Sequence, residues 1–219
     1  MIKETAIAVY LTVLGILFKI FSKLPLKEKT VMLSSFGDNM TYLIDDIKKE
    51  SNEQIFVLKE ARCKADFTDL PKDQLINFSP KNIAGLISGM YHLATSKYVF
   101  VDNYHVVLAA CHFKPDVQCT QLWHANGAVK YFGYRDKTIT KRPKSAHSRF
   151  KQVYSMFHNI VVSSDEMAYI FSEAFGASSS QILKTGMPRT DYFYNEAAMQ
   201  NDQADLYKKM PQLTNKKVL

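Results

Sequence analysis

These 219 residues contain no Cys-x-x-Cys pair, no Gly-x-x-x-x-Gly-Lys-Ser/Thr loop and no Gly-x-Gly-x-x-Gly turn. The three cysteines, Cys63, Cys111 and Cys119, stand at no ligand spacing from histidine. That excludes a structural zinc site and leaves reduced thiols in the core of a cytoplasmic protein. The missing glycine loops remove P-loop NTPases and fingerprinted dinucleotide enzymes. No metal or other cofactor is expected. A basic recognition helix and an RNP-like aromatic pattern are also missing, so nucleic acid is not expected as a partner. The longest uncharged apolar run, Thr5 to Phe18, falls short of the roughly 20 residues that cross a bilayer.

What is present is a globular composition, 47% hydrophobic and 22% charged, enough for one sizeable α/β domain or a domain with appendages. The net charge of +7 favours an anionic partner. Cations crowd one stretch, Lys130, Arg135, Lys137, Lys141, Arg142, Lys144, Arg149 and Lys151, with Asp136 alone opposing them. Such a stretch is either a solvated loop or a surface for phosphates; its density and single sign favour phosphates.

The N-terminal segment differs from the rest. Its apolar run continues as a helix through Ile20, Phe21 and Leu24, with Lys19 and Lys23 one turn apart. An apolar helix that becomes cationic suits an amphipathic anchor on an anionic membrane surface. A signal peptide lacks its Ala-x-Ala-like cleavage site here, and a buried packing helix is the other reading. Residues 1–27 are therefore taken as a membrane-associating helix.

From Pro25 onward strands and helices alternate. Strands are expected at Thr30–Ser34, Ile55–Leu58, Lys97–Asp102, Val117–Leu122, Asn159–Ser163 and Gln181–Thr185. Helices are expected from an N-cap at Asp38 or Asn39 to Lys49, and over Lys81–Thr95, Ser145–Met156, Ser164–Phe175 and Asp202–Met210, the last ended by Pro211. This alternation predicts a Rossmann-like parallel sheet with helices on both faces, over residues 28–200. Residues 201–219 read as a linker ending in a polar lead, Asn215 to Leu219, into a strand of a further domain.

Functional residues in such sheets gather at the carboxyl ends of strands. Four loops fall there: Ser35–Asn39, Asp102–His105, His124–Lys130 and Gly186–Asp191. His124, beside small residues at a strand end, is a candidate general base or a histidine shaping a turn. Asp102 and Asn103 either bind a hydroxylated substrate, steady His124 or cap the next segment. Arg189, after the rigid Pro188, can fork onto a phosphate or onto Asp191. His105 and His112 lack partner spacing and read as structural.

Several of these stretches together resemble the CDP-glycerol glycerophosphotransferase family, the teichoic-acid primases and polymerases of Gram-positive bacteria. They are Tyr98-Val99-Phe100-Val101-Asp102-Asn103-Tyr104, then Gln121-Leu122-Trp123-His124-Ala125-Asn126-Gly127-Ala128-Val129-Lys130-Tyr131-Phe132-Gly133. Val162-Ser163-Ser164-Asp165-Glu166, Phe175-Gly176-Ala177 and Thr185-Gly186-Met187-Pro188-Arg189-Thr190-Asp191 follow in the family's order. The resemblance runs from about Lys29 onward, and the second stretch is of the short primase form.

The resemblance implies the N-terminal domain of a GT-B-like fold, working peripherally on the cytoplasmic face of the cell membrane. It implies CDP-glycerol as donor and a polyprenyl-diphosphate-linked saccharide as acceptor, with glycerol phosphate transferred and CMP released. His124 carries over as the base. Asp102, Asn103, Asn126, Gly127, Lys130, Pro188, Arg189 and Asp191, at the strand ends around it, are expected to bind substrate. The family's second histidine and its Ser-Asp-x-Ser-Ser region have no counterpart up to Leu219. Residues 1–219 alone are therefore expected to bind CDP-glycerol poorly and to release no CMP. Alternatives are a GT-B glycosyltransferase using a nucleotide sugar and a non-catalytic, acceptor-binding membrane module.

Overall fold

The structure, a computed structural model, describes residues 2–214 and Lys216. The strand lead expected at residues 215–219 lies, apart from Lys216, outside them. Among the described residues seven strands form one sheet: β1 (Lys27–Ser34), β2 (Gln54–Lys59), β3 (Leu75–Asn77), β4 (Ser96–Val101), β5 (Gln118–Gln121), β6 (Asn159–Val161) and β7 (Ile182–Leu183). Their order is β3-β2-β1-β4-β5-β6-β7, with every neighbouring pair parallel. This is the doubly wound arrangement, whose strand order reverses between β1 and β4 and opens a crevice there. Among the described residues six α-helices accompany it: α1 (Ile2–Phe21), α2 (Asp38–Glu50), α3 (Ile83–Thr95), α4 (Lys144–Tyr154), α5 (Asp165–Phe175) and α6 (Glu196–Lys209).

The two-residue period of the strands sorts the core into two layers. Val31, Leu33, Val99, Val101, Cys119 and Ile160 face a large cluster with Leu14 and Phe18 of α1, Met90 and Leu93 of α3, Val153 of α4, and Phe171 and Phe175 of α5. Met32, Ile55, Val57 and Val161 face the other way, onto Met40 and Ile44 of α2 and onto Phe67, Leu70 and Met187. Helices thus lie on both faces as expected, unequally divided. All three cysteines are buried and free.

Local chemistry moves several boundaries. Asn82 caps α3 by accepting the Gly85 N–H at 3.1 Å, so the helix starts after Lys81. Asn195 caps α6 through the Ala198 N–H, six residues ahead of the expected start. Strand β3, only three residues long, carries no readable period. Neither Asp38 nor Asn39 caps α2. Gly37 precedes the helix in left-handed backbone, φ +94°, and a Cβ there would stand 2.3 Å from the Ala65 Cβ.

The N-terminal helix differs most from expectation. It spans 20 residues, and its Glu4–Phe21 stretch is long and apolar enough to cross a membrane by length and composition. It does not hang free of the domain. Leu14 and Phe18 are buried in the main core, Gly15 approaches Ala110, and Glu4 pairs with Arg149 of α4 at 2.8 Å. Val9, Val13, Ile16 and Ile20, spaced as one helix face, stay exposed together with Leu24.

At the opposite end of the sheet from the crevice, Lys29 is 2% exposed. Its ammonium donates to Thr95 Oγ1 at 2.8 Å and to Nδ1 of His92 at 3.1 Å, and lies 4.7 Å from the Tyr91 ring centre. Burial, helped by the charge of Lys27, lowers its pKa to about 8. Burial likewise holds His92 down to about 4, so its ring is a neutral acceptor at pH 7.

Gly37→Ala is expected to destabilise the fold by about 1–3 kcal/mol, since both the backbone angle and the space oppose a methyl group. The denaturant midpoint reads this, and an unchanged midpoint would contradict the turn geometry. For Lys29, the unfolded chain holds a proton between pH 8 and 10.5 that the folded chain has released. Stability should therefore rise across that window. Lys29→Met should remove that rise and stabilise the protein at pH 7; equal slopes in both proteins would refute it.

Candidate active site

The carboxyl ends of β1, β2, β4 and β5 and the turn after β7 converge on the crevice. Asp102, just past β4, is 1% exposed, and its carboxylate is fully engaged. It accepts the backbone N–H groups of Ser35 (2.9 Å), Phe36 (2.8 Å) and Gly37 (2.8 Å), and the Ser34 hydroxyl at 3.3 Å. The Asp102 side chain therefore organises the loop after β1 and has no free edge for a hydroxylated substrate. It does steady His124, but through its backbone: the Asp102 carbonyl accepts the Nδ1–H of His124 at 2.8 Å.

His124 is half-buried and stacks against Phe36 (4.2 Å between ring centres) and Trp123 (4.3 Å). Trp123 has φ +61°, the one non-glycine positive φ among the described residues. A bulky side chain there costs about 1–3 kcal/mol. Contacts with Phe132, Phe171 and Phe175 hold it in place, each aromatic pair contributing about 0.5–1.5 kcal/mol. The inverted backbone is what turns His124 back toward Asp102. Burial lowers the pKa of His124 below the ordinary value; the Asp102 carbonyl and charge oppose this, and the guanidinium groups of Arg62 and Arg189 reinforce it. A neutral imidazole results, with Nδ1 tied and Nε2 available as a proton acceptor.

Asn39 is buried and laces three segments. Its amide donates to the Trp123 carbonyl at 3.1 Å, and its Oδ1 accepts the Arg189 N–H at 3.2 Å. Arg189 follows Pro188, the first residue of a 3-10 helix, Pro188–Tyr194. Its guanidinium reaches Asn126 Oδ1 (3.3 Å) and Asp38 Oδ2 (3.4 Å); the exposed Asp191 is not its partner. Asn103 contributes its carbonyl, which accepts from the Gln121 side chain at 3.1 Å. Asn126 and Gly127 are exposed beside His124, and a Cβ on Gly127 would meet nothing within 4 Å.

Lys130 lies elsewhere. With Tyr131, Arg135, Lys137, Tyr169 and Glu173 it lines a cavity of about 700 Å³ against α5. The second cation beside His124 is instead Arg62, on the turn after β2, its guanidinium 5.1 Å from the Phe36 ring centre. Arg62 escaped the sequence reading because a lone arginine past a short strand carries no motif; only the strand-end rule could have flagged it. His105 lies in the interior, in keeping with a structural histidine, and has partners that its spacing in the sequence did not show. It is fully buried, with Glu60 Oε1 2.9 Å from Nδ1 and Asp102 Oδ1 3.3 Å from Nε2. Within the basic stretch, Arg135, Arg142 and Arg149 pair with Glu173, Asp136 and Glu4, leaving exposed lysines as its open charge. Among the described residues no group of His, Cys, Asp and Glu is arranged to hold a metal.

Known proteins resemble this chain in fold or in sequence. The wall teichoic acid polymerase TagF has the same fold, with a TM-score of 0.65 at 14% identity over 96% of this chain and 55% of that one. The teichoic acid glycerol-phosphate primase of Bacillus subtilis (strain 168) is 32% identical over 171 residues, 78% of this chain and 45% of that protein. The primase of the same description from Bacillus spizizenii is 33% identical over 183 residues, covering 83% and 48%. The teichoic acid ribitol-phosphate primase of that organism is 29% identical over 213 residues, covering 94% and 52%. The chain thus spans about half the length of these primases. Residues 16–219 match the family model described as CDP-glycerol:poly(glycerophosphate) glycerophosphotransferase, and the chain belongs to that family.

Proposed function

We propose that this chain forms the acceptor side of a glycerophosphotransferase of teichoic acid synthesis, with His124 as the general base. The observation that carries the reading is the Nδ1–H of His124 held by the Asp102 carbonyl at 2.8 Å, which leaves Nε2 as the ring nitrogen that can accept a proton. In this reading the acceptor hydroxyl gives its proton to Nε2 as its oxygen attacks the β-phosphorus of CDP-glycerol. The bond from that phosphorus to the bridging oxygen breaks, and CMP leaves with the oxygen. His124 then returns the proton to solvent. Phosphoryl transfer needs positioning and charge stabilisation above all. Arg62 and Arg189 would supply the positive charge, and exposed Asn126 and Gly127 would leave room for the acceptor.

Glycerol phosphate as the transferred group is supported by the identity to the two Bacillus glycerol-phosphate primases, 32% and 33%, against 29% to the Bacillus ribitol-phosphate primase, although the Staphylococcus aureus glycerol-phosphate primase stands at 25%. The acceptor in this reading is a polyprenyl-diphosphate-linked saccharide at the cytoplasmic face of the membrane. The exposed stripe of Val9, Val13, Ile16 and Ile20, with exposed Lys19 and Lys23 beside it, suits peripheral contact with an anionic leaflet.

His124→Ala, assayed as CMP release in the longest polypeptide the reading frame encodes, is expected to lower kcat by about 10²- to 10⁴-fold. Acceptor affinity should change little. The wild-type rate should fall as pH drops through the depressed pKa of His124, because protonation removes the acceptor lone pair. A full rate in His124→Ala would remove this residue from the mechanism. Unlabelled CDP-glycerol should also suppress turnover of labelled donor more strongly than CDP-ribitol or UDP-sugars do. The reverse order would reassign the donor.

A further inference from the structure

A charged cluster lies behind the reacting groups and takes no part in the transfer: buried Asp102 and His105 with the partly exposed Glu60. Its protonation follows from geometry. The Asp102 carboxylate accepts three backbone N–H groups and a hydroxyl, donors that select its charged form. Glu60 accepts the Ser35 hydroxyl at 2.7 Å and lies 3.7 Å from the Arg62 guanidinium, which selects its charged form too. A carboxylate has no proton to give, so both ring nitrogens of His105 must donate, and only an imidazolium does that. Burial acts to lower the pKa of His105, yet its bonds to Asp102 and Glu60, and their charges, leave it raised. The other ionisable groups near the cluster are Tyr10 of α1, which feels the charge of Glu60, and Cys63, whose sulfur is 3.2 Å from the Ser34 hydroxyl.

Two arms lead out from this cation. One runs through Asp102, whose carbonyl takes the Nδ1–H of His124. The other runs through Glu60 to Arg62, over the Phe36 ring that stacks on His124. We propose that His105 is the positioning residue of the site, an imidazolium that fixes the tautomer of His124 through Asp102 and the placement of Arg62 through Glu60. The proposal rests on the reading of His124 as the base, and it adds what keeps that base in its working form. Without the clamp, the buried Asp102 charge loses the cation that balances it and is left to its backbone and Ser34 donors; the carbonyl contact to His124 loosens, and the Nε2–H tautomer that ordinary histidine prefers gains population.

Side-chain ¹⁵N spectra of histidine-labelled protein, residues 1–219, test this without any activity assay. His105 should keep both nitrogens protonated at a pH where an ordinary histidine has lost its second proton, and His124 should show a single Nδ1–H form. In folded His105→Asn the His124 signals should shift toward the Nε2–H form. A His105 no more protonated than an ordinary histidine, or a His124 tautomer unmoved in folded His105→Asn, overturns the proposal. Should that variant not fold, Glu60→Gln serves instead: His105 should then lose its second proton at lower pH than in the wild type, and an unmoved titration would count against the clamp. In the longest encoded polypeptide, His105→Asn should lower kcat at least tenfold with a smaller change in KM. If the tautomer responds as stated but His124→Ala keeps full activity, the clamp stands and the catalytic reading fails. A fixed tautomer with an inactive His124→Ala gives the converse.

Discussion

One buried carboxylate, on Asp102, ties together the segments from which the site is built. Its oxygens gather the N–H groups of Ser35, Phe36 and Gly37, its charge balances His105, and its carbonyl orients His124. A carboxylate this deeply buried is tolerable only when paired and fully hydrogen-bonded. Breaking such a pair typically costs about 3–5 kcal/mol, a large part of the roughly 5–15 kcal/mol that holds a domain folded. Fold and site therefore share one constraint. The turn after β1 cannot close without Asp102, and His124 cannot hold its orientation without that residue's backbone.

The position of this carboxylate follows from topology. In a parallel sheet of this order the crevice opens between β1 and β4, and Asp102 follows the last residue of β4 beside the end of β1. Neighbouring strands bring Glu60 and Arg62 from β2, His124 from β5 and Arg189 from beyond β7. Asn39 joins the last two by bonding the Trp123 carbonyl and the Arg189 N–H. The strained backbone of Trp123 belongs to the same design, held by an aromatic cluster that extends from Phe132 to Phe175. The chain belongs to the glycerophosphotransferase family and spans about half the length of the primases it matches.

The first helix joins this arrangement to the outer surface. Its inner face enters the core through Leu14 and Phe18 and meets the segment Val106–Ala110 that follows His105. Its outer face keeps an apolar stripe. An apolar segment read in isolation looks like an appendage, because sequence periodicity shows that a helix has two faces without showing what covers either.

The sequence by itself determined the α/β alternation, the order of the long elements and the loops in which functional residues would fall. Those depend on local hydrophobic period and on turn-forming residues, which act between near neighbours in the chain. It also marked His124, Asn126 and Arg189, because strand ends in such a sheet share one edge. It did not reveal that Asp102 faces inward, that Arg62 rather than Lys130 stands by His124, or that His105 carries the cluster's positive charge. Those assignments rest on contacts such as Glu60 with His105 and Ser35 with Asp102, made between residues 45 and 67 positions apart. Only the closed sheet decides which donor meets which acceptor at that range, since the alternative to pairing is a buried charge left without a partner.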